Sequence, residues 1–170
     1  MEGTKQESLK RALGKEEDEK SFYLKAASGA KSLFAKRMFE ELAGEEDVHG
    51  KRVLEIYETL KKDAAFKQWT TMARGISRIE AVFQEISPES GEECADDICA
   101  LQTGLEMEEE SVKHYETLAQ ATNSTYEKRF YLDLAHEERA HYLHIMDAIQ
   151  YLSDPVGWLY IHQKSMVDGG

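Results

Sequence analysis

The sequence predicts an all-α protein, a four-helix bundle built from two duplicated helical hairpins with a long crossover connection between them. Three observations carry that expectation. Shifted by 92 residues, segment 9–60 overlays segment 101–152 without a gap. Apolar residues such as Leu9, Leu13, Phe22 and Ala26 recur at helical spacing. Turn-forming residues fall once in the middle of each unit, Ser28-Gly29 in the first and Ala121-Thr122-Asn123-Ser124 in the second.

The matched positions include Leu9/Leu101, Leu13/Leu105, Glu16/Glu108, Glu17/Glu109, Tyr23/Tyr115, Ser32/Ser124, Leu42/Leu134, Glu45/Glu137, Glu46/Glu138 and His49/His141. An ungapped match of this length points to a duplicated unit. Helices are expected near 5–28, 31–61, 91–121 and 124–152. Ser124 with Glu127, and Ser90 with Glu93, have the capping-box spacing that opens a helix.

Between the units, 62–90 forms the crossover. Helices of this length span roughly 40 Å, and the chain must return along that distance if a two-fold axis relates the hairpins. Trp69, Met72, Ile76, Ile79, Val82 and Phe83 give the crossover some helical periodicity. The bundle domain is placed at 1–152. A C-terminal tail, 153–170, follows it, with Pro155 and Gly157 ending the fourth helix.

Composition narrows the classes. Only two prolines, with 41% hydrophobic and 32% charged residues, suit a helical globular chain rather than a collagen-like or proline-rich one. The net charge of -12 argues against non-specific nucleic-acid binding. The N-terminal residues lack a basic start followed by an apolar stretch, and the longest apolar run, Val156 to Ile161, is too short to span a bilayer. A cytoplasmic protein without membrane contact is expected. Cys94 and Cys99 lack the spacing of a zinc or redox pair and read as reduced thiols on one helix.

The chemistry lies in Glu46-Asp47-Val48-His49 and Glu138-Arg139-Ala140-His141. Glu and His three residues apart share one helix face and can reach one ion. A carboxylate paired with an imidazole suits iron, manganese or zinc better than magnesium or calcium. The pair is duplicated at the repeat offset, and so is a partner carboxylate, Glu16 and Glu108. Glu16 and Glu46 each lie 15 residues from Lys31, and Glu108 and Glu138 each lie 15 from Asn123. Residues equidistant from the turn of an antiparallel hairpin sit at one height, so all four helices bring a carboxylate to one level. Four glutamates and two histidines there form the inward-facing pattern of di-iron and di-manganese carboxylate bundles. Four carboxylates also balance the charge of two divalent ions.

The stretch Ala12-Leu13-x-x-Glu16-Glu17-Asp18-x-x-x-Phe22-Tyr23-x-x-Ala26-Ala27, followed by Phe39-x-x-Leu42-Ala43-x-Glu45-Glu46-x-x-His49, resembles the rubrerythrin branch of the ferritin-like superfamily. The second half repeats it with Glu108, Tyr115 and Leu134-Ala135-x-Glu137-Glu138-x-x-His141. The resemblance implies a ferritin-like bundle holding two iron ions, with manganese or zinc as alternatives. Glu16 and Glu108 would be terminal ligands, Glu46 and Glu138 bridging ligands at the catalytic centre, and His49 and His141 would each bind one ion. It further implies an oxidoreductase acting on peroxide or dioxygen, a separate electron donor such as a rubredoxin-like protein or reductase, and a homodimer. Ferroxidase or other iron-handling activity, and a non-catalytic metal-binding bundle, are the alternatives.

Two departures stand out. The chain has no four-cysteine iron segment. At the position one turn after the helix-three ligand, where many rubrerythrins add a glutamate, it has Ser111, with Glu110 or Glu106 able to substitute if the register differs. Tyr23 and Tyr115 either hydrogen-bond ligand carboxylates of the opposite hairpin, as the resemblance implies, or are ordinary aromatic core. His136 and His144 have no histidine counterpart in the first half and are expected at the surface or beside the ligands rather than as ligands, while His114 replaces Phe22 as packing. Gly44 to Lys51 fails as a phosphate loop, because its glycines are too far apart and Arg52 stands in the hydroxyl position.

Overall fold

The computed structural model describes residues 2–61, 78–86 and 95–167, and every regular element among them is a helix. The order is α1 (Glu2–Gly29), α2 (Leu33–Lys61), α3 (Ile79–Glu85), α4 (Ala95–Ala121), α5 (Thr125–Ser153) and α6 (Pro155–Val167). The two expected hairpins are α1–α2 and α4–α5. Most of the crossover, the capping pair Ser90/Glu93 and Cys94 lie outside the described residues.

Both hairpin turns are built by the serines that the repeat pairs. Ser32 Oγ accepts the Ala35 amide at 3.1 Å, and Ser124 Oγ accepts the Glu127 amide at 3.4 Å. Each thereby satisfies an amide that the first helical turn leaves without a partner. The first break falls slightly later than Ser28-Gly29, because α1 runs through Gly29 before the chain turns at Ala30-Lys31-Ser32. That turn is clamped from the other hairpin, where the Asp97 carboxylate accepts the Lys31 and Ser32 amides at 2.9 and 2.8 Å. The second turn is held locally. Thr122 donates its hydroxyl to Glu127 and accepts the Ser124 amide.

α1 packs on α2 and α4, and α5 on α4 and α2. The contacts Tyr23–Glu108 with Glu16–Tyr115, and His49–Glu137 with Glu45–His141, run the cross-hairpin pairs antiparallel, as the turns do the others. The buried apolar residues fall into two clusters. One, at the end holding the first turn, contains Tyr23, Phe34, Met38, Phe39, Leu42, Leu101, Ile145 and Tyr151. The other, at the second turn's end, contains Leu9, Val53, Ile56, Tyr115, Phe130, Tyr131 and Leu134. A layer of buried charged side chains lies between them along the four helices.

The segment from Ser153, expected as a tail, folds on as α6. Asp154 carries the change of direction: its amide closes α5 on the Gln150 carbonyl, and its carboxylate accepts the Gly157 amide at 3.0 Å as the cap of α6. Pro155 therefore sits at the first helical position, where its missing N–H costs nothing. Trp158 stacks on Phe83 of α3 at 5.2 Å and meets Tyr151 edge-on at 4.8 Å, so the short helices α3 and α6 close one end of the bundle.

Candidate metal centre

Glu16 of α1, Glu46 of α2, Glu108 of α4 and Glu138 of α5 come together at one level, each no more than 1% exposed. His49 and His141 join them, one turn beyond the glutamates of their own helices, with rings stacked 5.4 Å apart and 18° from parallel. The six residues singled out by the repeat are thus one buried cluster.

The rings have defined insides and outsides. His49 Nδ1 lies 3.0 Å from Glu46, 3.1 Å from Glu138 and 3.4 Å from Glu16. His141 Nδ1 lies 2.9 Å from Glu46 and 3.7 Å from both Glu108 and Glu138. The outer nitrogens each reach a glutamate of the opposite hairpin. His49 Nε2 lies 2.6 Å from Glu137, which also accepts from Arg52 at 3.2 Å, and His141 Nε2 lies 2.8 Å from Glu45. An Nε2–H donated outward leaves Nδ1 as the inward donor atom, the arrangement a carboxylate–histidine–metal triad requires. Glu45 and Glu137 were visible in the sequence as repeat partners, but nothing there gave them this work. The signal was the duplicated Glu-Glu doublet before each histidine.

Electrostatics without an ion are unfavourable. Burial, and next the Glu138 charge, raise Glu16 well above the usual carboxylate range. Burial dominates at Glu108 and leaves it at about 8 despite the favourable His141 beside it. Burial also opposes ionisation of Glu46 and Glu138, yet the two histidines outweigh it and hold both carboxyls low. For His49 and His141 burial disfavours the imidazolium, but the surrounding carboxylates prevail and raise both well above the ordinary value. Positive charge on the two rings is thus favoured at the level where metal ions would bind.

The donor atoms fit metal ions. Glu16 Oε2, Glu46 Oε1, Glu108 Oε2 and both Glu138 oxygens are buried without a hydrogen-bond partner, as is His141 Nδ1 despite the nearby Glu46 oxygen. Buried polar atoms without partners are costly and uncommon in folded proteins. One donor atom each from Glu46, His49, Glu138 and His141 lies within 4.8 Å of the others, close enough to surround an ion. Four carboxylates and two imidazoles are a donor set for first-row transition metals.

The tyrosines cross between hairpins. Tyr23 donates its hydroxyl to Glu108, and Tyr115 donates to Glu16. Both phenols are fully buried and each belongs to one of the two apolar clusters. Gly104 makes room for the first: a Cβ there would stand 3.1 Å from Tyr23 Cε1.

One residue at this level was missed. Glu19 is fully buried one turn after Glu16, and an oxygen of each falls within 4.8 Å of Glu46. Burial, followed by the charges of Glu138, Glu46 and Glu108, pushes its pKa up to about 10. Its repeat partner is Ser111, whose hydroxyl donates to it. Ser111 is itself buried, whereas Glu106 and Glu110 are exposed and do not substitute for it.

The remaining candidates stay outside. His136 is exposed, His144 is half-buried, and His114 packs edge-on against Tyr115 at 5.4 Å. Cys99 is exposed with a free thiol. Among the described residues no helix is long and apolar enough to cross a membrane.

The rubrerythrin family model matches residues 7–149, which takes in both hairpins and the whole buried cluster. Searches of curated proteins and of solved structures find no match. With most of its length matched, the chain belongs to the rubrerythrin family.

Proposed function

We propose that this chain is a non-haem di-iron oxidoreductase that reduces peroxide or dioxygen, drawing electrons from a separate donor protein. The observation that carries the proposal is the cluster itself: two inward Nδ1 atoms and four buried glutamates, each with at least one oxygen without a hydrogen-bond partner, drawn equally from two hairpins.

In this reading Glu16 and His49 would hold one ion, Glu108 and His141 would hold the other, and Glu46 and Glu138 would be shared between the two. When bound, the iron pair supplies two electrons and Lewis acidity toward an oxygen-containing substrate. The chain's own residues do the rest. Glu137 and Glu45 accept from the outer nitrogens of His49 and His141 and fix both rings. Tyr115 and Tyr23 hold the carboxylates of Glu16 and Glu108 from the opposite hairpin and have a proton to share with them. The apolar clusters above and below keep bulk water away, so charge changes at the centre are felt strongly. Manganese or zinc would occupy the same donors, but zinc supplies no redox chemistry. A rubredoxin-like protein or reductase is the proposed donor; within residues 1–170, Cys94 and Cys99 alone make no four-cysteine iron site. A cytoplasmic homodimer is the proposed setting.

The test is stopped-flow mixing of the diferrous protein with peroxide and, separately, with dioxygen. Oxidation by peroxide faster than free ferrous iron, with turnover only when a donor protein is added, is expected. Oxidation by neither substrate overturns the catalytic reading. Oxidation by dioxygen, with ferric mineral accumulating inside a large shell, replaces it with iron handling.

A further inference from the structure

Apart from its bridging and terminal glutamates, the ligand level has one carboxylate that the repeat does not duplicate. Glu19 lies three residues after Glu16, so both face the same side of α1. It is fully buried, one of its oxygens joins Glu16 and Glu46 in a group close enough to share an ion, and Glu19 Oε2 has no hydrogen-bond partner. Its other oxygen accepts the Ser111 hydroxyl and lies 3.4 Å from Lys15 Nζ. A fully buried carboxylate with one unpartnered oxygen, beside a cluster of metal-ligand type, is unexplained by packing.

Resting on the di-metal reading, we infer that Glu19 is a seventh protein ligand, contributed by α1, which makes the centre asymmetric. The repeat partner of Glu19 on α4 is a serine that donates to Glu19 from across the bundle. Ser111 is then a positioning residue: its hydroxyl occupies one Glu19 oxygen and leaves the other for the ion. Glu16, Glu19, Glu46, Glu108 and Glu138 together bring five negative charges when ionised, one more than two divalent ions carry. The surplus favours the more highly charged, oxidised pair.

The experiment compares wild type, Glu19→Gln and the exchanged variant Glu19→Ser/Ser111→Glu in the full chain. Ferrous affinity is measured anaerobically against a competing chelator, with Mössbauer spectra of the loaded proteins. Wild type should bind two ions. Glu19→Gln should hold one of them on the order of 10–100-fold more weakly, at least what loss of an outer partner costs. The spectrum of one ion should change, and the reduction potential of the pair should rise. The exchanged variant should regain affinity, because the repeat places residue 111 where residue 19 stands in the other hairpin. It also supplies the reading should Glu19→Gln fail to fold. Two ions bound by Glu19→Gln with wild-type affinity and an unchanged spectrum overturn the inference while leaving the di-metal reading intact. Wild type that binds no pair overturns both.

Discussion

The two hairpins share a sequence pattern, yet they are not equivalent. Each gives the buried level a glutamate from its first helix and a Glu-x-x-His from its second, each caps its second helix with a serine, and each sends a tyrosine to the other's carboxylate. The first hairpin alone adds Glu19, where the second has Ser111. The first turn is clamped from outside by Asp97, and the second is tied locally through Thr122 and Glu127. Gly104, which leaves room for Tyr23, stands where the first hairpin has the buried Ala12. The duplicated positions form the buried Glu/His level and its tyrosine contacts, and the differing ones lie beside that level or at the turns. In the di-metal reading, symmetry is kept where two ions would need the same environment and relaxed around it.

The largest effect should follow from breaking the shared part. Glu46→Ala/Glu138→Ala removes one bridging carboxylate from each hairpin and should abolish tight binding of both ions. Each single change should lose at least one. Metal analysis of anaerobically purified protein reads this directly, and a double variant that still carries two tight ions contradicts the ligand assignment.

Removing the metal probes the same layer through stability. A ligand that binds only the folded state at a thousandfold excess over its Kd contributes about 4 kcal/mol. The pH dependence of the metal-free chain has a definite sign. Glu108 at about 8 and Glu19 at about 10 keep protons when folded that they release on unfolding. The stability they contribute is full below the ordinary 4.5 and drains away as pH rises through 8 and then 10. His49 and His141, raised as well, act in the same direction above their ordinary value. Glu46 and Glu138 act oppositely, losing their contribution only as pH falls below 4.5 toward their lowered values. Metal-free protein should therefore melt at a lower temperature at pH 8 than at pH 5.5, and added metal should raise the melting temperature more at pH 8. A metal-free chain that becomes more stable between those values would show that these carboxylates are not buried as described.

The outer glutamates give a finer comparison. Glu137→Gln and Glu45→Gln should each weaken metal binding about 10–100-fold, the usual cost of losing a histidine's outer partner. Arg52→Ala should have a smaller effect confined to the His49 side, because Arg52 bonds Glu137. Equal loss at both ions on Arg52→Ala would contradict that division. The smallest difference lies at the turns. Asp97→Ala leaves two amides without their carboxylate and should cost about 1–3 kcal/mol, whereas Ser124→Ala removes one cap and should cost about 1 kcal/mol. Chemical denaturation of the two variants measures the gap, and equal costs would show that the Asp97 clamp adds nothing.

Much of this was legible in the sequence because duplication made it redundant. The turn centres at Lys31 and Asn123 set the height of four glutamates, and the repeated Glu-x-x-His gave their direction. Legibility failed where the repeat was broken or a signal had two meanings. Glu19 escaped notice because its partner is a serine, so the search for matched carboxylates passed over it. Only its three-residue spacing from Glu16 pointed to it. Helix α6 was hidden because Pro155 and Gly157 look like stops, while Asp154 converts the same residues into a start. The outer roles of Glu45 and Glu137 depend on contacts between hairpins, which spacing within one helix does not reveal.

The central claim is that two metal ions bind in the ligand layer between the two hairpins. Anaerobic titration of metal-free protein with ferrous iron, read by equilibrium binding and Mössbauer spectroscopy, tests it most directly. The expected result is saturation at two ions per chain, in two resolvable high-spin ferrous environments that reflect the single asymmetry of Glu19 and Ser111. Saturation at one ion, or none, would contradict the account.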